Sequence, residues 1–145
     1  YFGKNFVSSM LRLFSEKQSL SVVDDQYGCP TFTDDLAHFI LHLIKKEQNS
    51  HNIQNNLKAY GTYHVCNKGE TTWYGFAKEI LKQATEKHRA SFVVDLKPCD
   101  SSAFPTKAMR PKYSVLDTTK LQRKFAYQLP TWQDALDRYL NQVYS

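Results

Sequence analysis

The sequence predicts an α+β arrangement, the form taken by the smaller lobe of many α/β proteins. Three observations predict it. Apolar residues recur with helical period in five separate stretches. Three short runs of β-branched, aliphatic and aromatic residues lie between them. Helices and strands alternate, but no complete series of βαβ units appears. A chain of 145 residues suits one compact domain, so residues 1–145 read as a single unit. Its 41% hydrophobic and 14% aromatic content argues against disorder.

The elements follow in order. Asn5 to Glu16 reads as a helix, with Phe6, Met10 and Leu13 on one face and Val7, Leu11 and Phe14 beside them. Leu20 to Val23 is a short strand. Thr33 to Lys46 is a second helix capped by Thr33. Asp34 and Asp35 sit in its first turn and Lys45 and Lys46 at its end, as the helix dipole favours. Its expected inward face is Leu36, Ile40, Leu43 and Ile44, with Phe39 flanking. Glu47 to Tyr60 is a polar surface loop with room for a helical turn at Ile53 to Leu57. Thr62 to Cys66 reads as a strand and Asn67 to Glu70 as a turn. Thr72 caps a helix through Lys87, whose inward face is Trp73, Phe76, Ala77, Ile80, Leu81 and Ala84. Phe92 to Leu96 is the third strand, and Pro98 to Pro111 is irregular. Asp117 or Thr118 starts a short helix to Phe125. Thr131 and Asp134 open a final helix to Tyr144, facing inward through Trp132, Ala135, Leu136, Tyr139, Leu140 and Val143.

Composition excludes several functions. The net charge is +5, but Lys and Arg are scattered among acids, with Lys45-Lys46 and Arg123-Lys124 the densest runs. A nucleic-acid groove needs a continuous basic stripe, so no nucleic-acid partner is expected. No apolar run approaches a membrane span. Cys29, Cys66 and Cys99 are odd in number and lack metal-ligand spacing, so they read as reduced thiols in a cytoplasmic protein.

Three places carry groups suited to a nucleotide joined to a sugar. Asp24-Asp25-Gln26-Tyr27-Gly28-Cys29-Pro30-Thr31 follows a strand and precedes a helix. Such a turn gathers amides, a hydroxyl and an aromatic ring in a small space. Gly and Pro also serve ordinary turns, whereas Gln26 and Tyr27 are less easily explained that way. Arg110, before Pro111, can present a rigid fork to phosphate, or be a surface arginine, or pair with a carboxylate such as Asp117. Asn5 and Phe6 open the first helix, where Asn5 can cap, or contact phosphate or sugar. His64 reads as structural, and Trp73 and Trp132 as core.

Gly3-Lys4-Asn5-Phe6-Val7, the Asp24–Thr31 stretch and Ala108-Met109-Arg110-Pro111-Lys112-Tyr113-Ser114-Val115-Leu116-Asp117-Thr118-Thr119-Lys120-Leu121, in that order, carry a family resemblance. From about Tyr1 to Tyr144 the chain resembles the C-terminal half of the dTDP-4-dehydrorhamnose reductase family, extended short-chain dehydrogenase/reductases. The resemblance implies that the chain is part of a longer α/β protein, whose larger lobe is a doubly wound sheet binding NADPH or NADH. It implies a dTDP-sugar substrate whose 4-keto group is reduced, with this portion binding the nucleotide through Asn5, Phe6, Gln26, Tyr27, Gly28, Pro30, Thr31 and Arg110. The catalytic Tyr-x-x-x-Lys pair and the glycine-rich fingerprint are expected upstream, so no catalytic or cofactor-binding residue is expected in this chain. The Tyr63–Cys66 strand and the Asp35–Lys46 helix are expected to pack on the larger lobe. A homodimer is possible for the family, and some members bridge subunits with a metal held by acidic residues. Here Gln142 stands at the C-terminal one of those positions, so no metal site is assigned. Two alternatives share the resemblance: a non-catalytic regulatory subunit, as for methionine adenosyltransferase, and another nucleotide-sugar reductase or epimerase.

Overall fold

Asn5 starts the first helix as its sequence position suggests. In this computed structural model, which describes residues 4–48 and 60–145, its side chain accepts from the Ser8 amide at 2.8 Å, and the Ser8 hydroxyl accepts from the Asn5 amide at 3.1 Å. That reciprocal cap satisfies two orphan donors of α1, Phe6–Glu16. Helix α1 buries Met10 and Phe14. The chain then enters β1, Ser19–Val23.

Strand β1 pairs in parallel with β4, Asp95–Cys99, with Ser19 opposite Asp95 and Val23 opposite Cys99. The third strand therefore lies later than Phe92 to Leu96. Phe92 and Val94 pack on the core ahead of the ladder, which opens where the Asp95 amide donates to the Gln18 carbonyl at 2.8 Å. Pro98 is tolerated in β4 because a two-stranded sheet leaves each strand an open edge.

Between these strands lie a two-residue β2, Tyr27–Gly28, and helix α2, Thr33–Gln48. Thr33, expected as a cap, is the first helical residue. The expected inward face is also corrected. Leu36, Ile40 and Ile44 are exposed, at 36%, 48% and 46%, while Asp35 and Phe39 are buried. Helical period identifies which residues share a face, but not which face finds a partner within the chain. Glu47 and Gln48 belong to α2, and the helical turn expected at Ile53 to Leu57 lies outside the described residues.

Tyr63 and Val65 point into a small cluster with Phe39, Leu121 and Leu129, and His64 between them is exposed. The segment thus alternates as a strand would, yet among the described residues it joins no ladder, so the expected Tyr63–Cys66 strand is corrected. A two-residue β3, Thr71–Thr72, follows and pairs antiparallel with β2. Helix α3, Trp73–His88, begins at the Thr72 cap, whose hydroxyl accepts from the Gly75 amide at 2.9 Å. Ala77, Ile80, Gln83 and Ala84 form its buried side. After a 3-10 turn at Ser101–Ala103, helix α4 runs Thr119–Phe125, and α5 runs Trp132–Tyr144 from the Thr131 cap. Val143 is exposed rather than inward. The main core joins α1, β1, α3 and α5 through Met10, Phe14, Val22, Ile80, Trp132, Leu136 and Leu140.

One buried polar network ties α2 to α5. Asp35 is 5% exposed. Its Oδ2 accepts from Arg138 Nη2 at 2.8 Å and from Asn67 Nδ2 at 2.6 Å. Asn67 Nδ2 also donates to the Pro130 carbonyl at 3.0 Å, and its Oδ1 accepts from the Phe32 amide at 2.8 Å. Burial pushes the Asp35 carboxyl up, but the hydrogen bonds from Arg138 and Asn67 and the Arg138 charge outweigh it, so the group titrates below the usual carboxylate range.

Candidate nucleotide site

Two segments far apart in sequence are stitched together by main chain. The Tyr27 amide donates to the Lys112 carbonyl at 2.8 Å, and the Tyr27 carbonyl accepts from the Ser114 amide at 2.9 Å and hydroxyl at 2.8 Å. On its other side Tyr27 pairs with Thr72. Gly28 suits this place because a Cβ there would lie 3.3 Å from Ser114 Oγ. The two acids before the turn are anchors. Asp24 accepts from the Thr72 hydroxyl, and Asp25 accepts from the Ser101 amide at 3.0 Å and hydroxyl at 2.9 Å.

A cavity of about 400 Å³ opens between these segments. Gln26, Tyr27, Gly28, Pro30, Thr31 and Arg110 all line it, so six of the eight expected residues converge. Asn5 and Phe6 do not. They line a neighbouring cavity of about 340 Å³, which shares Pro30, Thr31 and Phe76 with the first and also includes Lys4. Asn5 is committed to structure at both ends of its amide, since its Nδ2 donates to the Tyr139 hydroxyl at 3.0 Å while its Oδ1 caps α1. Phe6 lies against Trp73, with ring centroids 4.8 Å apart, and stacks on Phe76 at 5.5 Å.

Trp73 is the residue that the sequence reading misassigns. It was expected in the core, yet it is 39% exposed and lines the first cavity, as well as a broader groove shared with Gln26 and Arg110. Its helical spacing with Phe76, Ala77 and Ile80 carries no sign of this. The remaining signal is its place at the first position of a helix, next to the Thr72 cap. Trp132 is buried as expected.

The cavity's electrostatics favour an anion. Arg110 is exposed and has no ion-pair partner among the described residues. The Asp117 carboxylate instead accepts from the Thr119 amide at 2.8 Å, and hydrogen bonding from the Thr119 side chain, then from that amide, holds it below the usual carboxylate range. Thr71, Thr72 and Trp73 bring the N-terminus of α3 to the wall, and its first turn holds no acid. Tyr113 borders the Arg110 segment. Its hydroxyl donates to Glu70 at 2.7 Å, which raises its titration. Thr72→Ala would remove the α3 cap and the Asp24 anchor together. The expected cost is about 1–2 kcal/mol of stability, read as a lower urea midpoint.

One pattern escaped the sequence reading. Tyr74 and Lys78 have the Tyr-x-x-x-Lys spacing. Tyr74 packs on the main core, Lys78 is exposed, and neither lines the cavities described above. The sequence holds no glycine-rich dinucleotide fingerprint. Among the described residues no group of three His, Cys, Asp or Glu could hold a metal. Gln142 Nε2 lies 3.4 Å from Asp34 Oδ2.

The chain is 36% identical over 143 residues to dTDP-4-dehydrorhamnose reductase of Escherichia coli K12, covering 99% of this chain and 46% of the relative. Dehydrorhamnose reductase structures superpose well. That from Bacillus anthracis, in complex with NADP, has TM-score 0.80 and 35% identity over 98% of this chain and 44% of its own. That from Clostridium acetobutylicum has TM-score 0.82 and 35% identity over 99% and 45%. The chain thus spans about half the length of the curated relatives it matches. The family model described as "RmlD substrate binding domain" matches residues 1–145, and the chain belongs to that family.

Proposed function

We propose that this chain holds the nucleotide of a dTDP-sugar in the cavity between the Gln26–Thr31 loop and Arg110. In that reading it is the substrate-binding portion of a dTDP-4-dehydrorhamnose reductase. The observation that carries the reading is the main-chain stitching of Tyr27 to residues 112 and 114, which draws both sequence signatures into one wall. Arg110 and the N-terminus of α3 offer positive ends to a diphosphate. Tyr27 and Trp73 offer ring faces to the base. NADPH or NADH, when bound, would supply the hydride. The residues of this chain would orient the sugar and supply neither the proton donor nor the cofactor site.

The exposed Leu36, Ile40 and Ile44 side of α2 is proposed to pack against the other lobe of such a reductase. Cytoplasmic residence fits three free thiols and the lack, among the described residues, of any helix long and apolar enough to cross a membrane. The regulatory-subunit alternative is not favoured, because the relatives matched above bear reductase names.

Titrating dTDP into the isotope-labelled chain is expected to shift the amide signals of Gln26, Tyr27 and Arg110 together. Thymidine, which lacks the diphosphate, is expected to bind more weakly. Saturating dTDP that moves none of these signals would reject the site.

A further inference from the structure

We infer that Cys29 and Cys66 form an oxidisable dithiol, a modification site in the wall between the nucleotide cavity and its smaller neighbour. The two cysteines are remote in sequence, and the fold brings them into the one wall that two adjoining cavities share. Cys29 sits between Gly28 and Pro30, half-buried, and Cys66 is 6% exposed. Both line the cavity of about 400 Å³ and the adjoining one of about 190 Å³. The Cys66 thiol also points to the Leu116 carbonyl, with a sulfur-to-oxygen distance of 4.0 Å. Cys99, at the end of β4, lines neither cavity.

The arrangement sets an order of events. Hydrogen peroxide entering the cavity meets Cys29 first, because Cys29 is half-buried and Cys66 is buried. The Cys29 sulfur attacks one peroxide oxygen, the O–O bond breaks, and the departing hydroxide leaves as water with the thiol proton. Cys29 is then a sulfenic acid, oxidised by two electrons. The Cys66 sulfur attacks it, the S–O bond breaks, and a second water leaves with the Cys66 proton. Two thiols and one hydrogen peroxide thus give one disulfide and two waters. Burial, with Cys29 close by, pushes the Cys66 thiol up to about 12. The product ties the loop carrying Tyr27 to the segment carrying Tyr63 and Val65.

The test treats the purified chain with hydrogen peroxide, alkylates the remaining thiols and maps peptides by mass spectrometry. The expected product is a Cys29–Cys66 linked pair lighter by two hydrogens and reversed by dithiothreitol, with Cys99 still alkylated. Cys66→Ser is expected to stop at a Cys29 sulfenic acid that dimedone traps. Linkage through Cys99, or over-oxidation of Cys29 with Cys66 fully alkylated, would overturn the inference. Phenylarsine oxide, which bridges neighbouring thiols, provides a second measurement without an oxidant. One equivalent should bind the native chain and be lost from both Cys29→Ser and Cys66→Ser. Equal binding to native and variant chains would equally overturn it. Neither readout depends on dTDP, so the dithiol and the nucleotide site can fail separately.

Discussion

Arg138→Ala is expected to destabilise the chain by about 2–3 kcal/mol at neutral pH, below the range for fully buried pairs because Arg138 is partly solvated. Its side chain is 36% exposed, against 6% for Asp35. The substitution leaves the Asp35 carboxylate buried with only Asn67 to bond it. It also removes the pair with Asp134 and the guanidinium lying 5.5 Å from the Phe32 ring centre. The sign of the pH dependence follows. In the native chain the Asp35 carboxyl titrates below its unfolded value. Its stabilisation is therefore complete above that value and lost as pH falls through the folded one. In the variant the Arg138 bond and charge no longer offset burial, so the carboxyl titrates higher than in the native chain and its charged form is less well supported at neutral pH. The gap between the two chains should be widest near pH 7 and narrow below about pH 4. Urea unfolding at both pH values measures it. An equal gap at both would assign the loss to packing rather than to charge.

In a full-length reductase, Arg110→Ala is expected to weaken dTDP and dTDP-sugar by about 1.5–3 kcal/mol, the usual loss for a hydrogen bond between charged groups. That is about a 10- to 150-fold rise in Kd. NADPH affinity should hold, because the cofactor would sit in the other lobe. Stability should hold as well, since Arg110 is exposed and Asp117 bonds Thr119 instead. Calorimetric titration with each ligand separates the outcomes. Equal losses for dTDP and NADPH would indicate a general defect, and no loss for either would leave the site to the Gln26–Thr31 loop.

What the sequence revealed follows the range of the forces involved. The caps at Asn5, Thr72 and Thr131 were legible because a cap is settled within four residues. The start of α4 beside Asp117 was legible for the same reason. The inward side of α2 was not, because Leu36, Ile40 and Ile44 read as apolar whether or not a partner covers them. The register of β4 was set by β1, far away in sequence, so its strand moved past Phe92 and Val94. Six candidate residues stood out through their motifs and do converge on one cavity. Trp73 did not, since a ring at helical spacing looks alike against a core or a cavity. The Asp35–Asn67–Arg138 network joins residues from three regions, and no local pattern announces it.

The Tyr27–Ser114 bonds have a kinetic consequence. They close a separation of 87 residues, more than half the chain. Loop-closure entropy of that order must be met before the contact forms, so such contacts come late in folding. A nascent or partly folded chain would therefore have its helices before it had a nucleotide site. Ligand would bind only the fully closed topology, and its binding energy would appear as resistance of the whole chain to unfolding rather than as local stiffening of one loop.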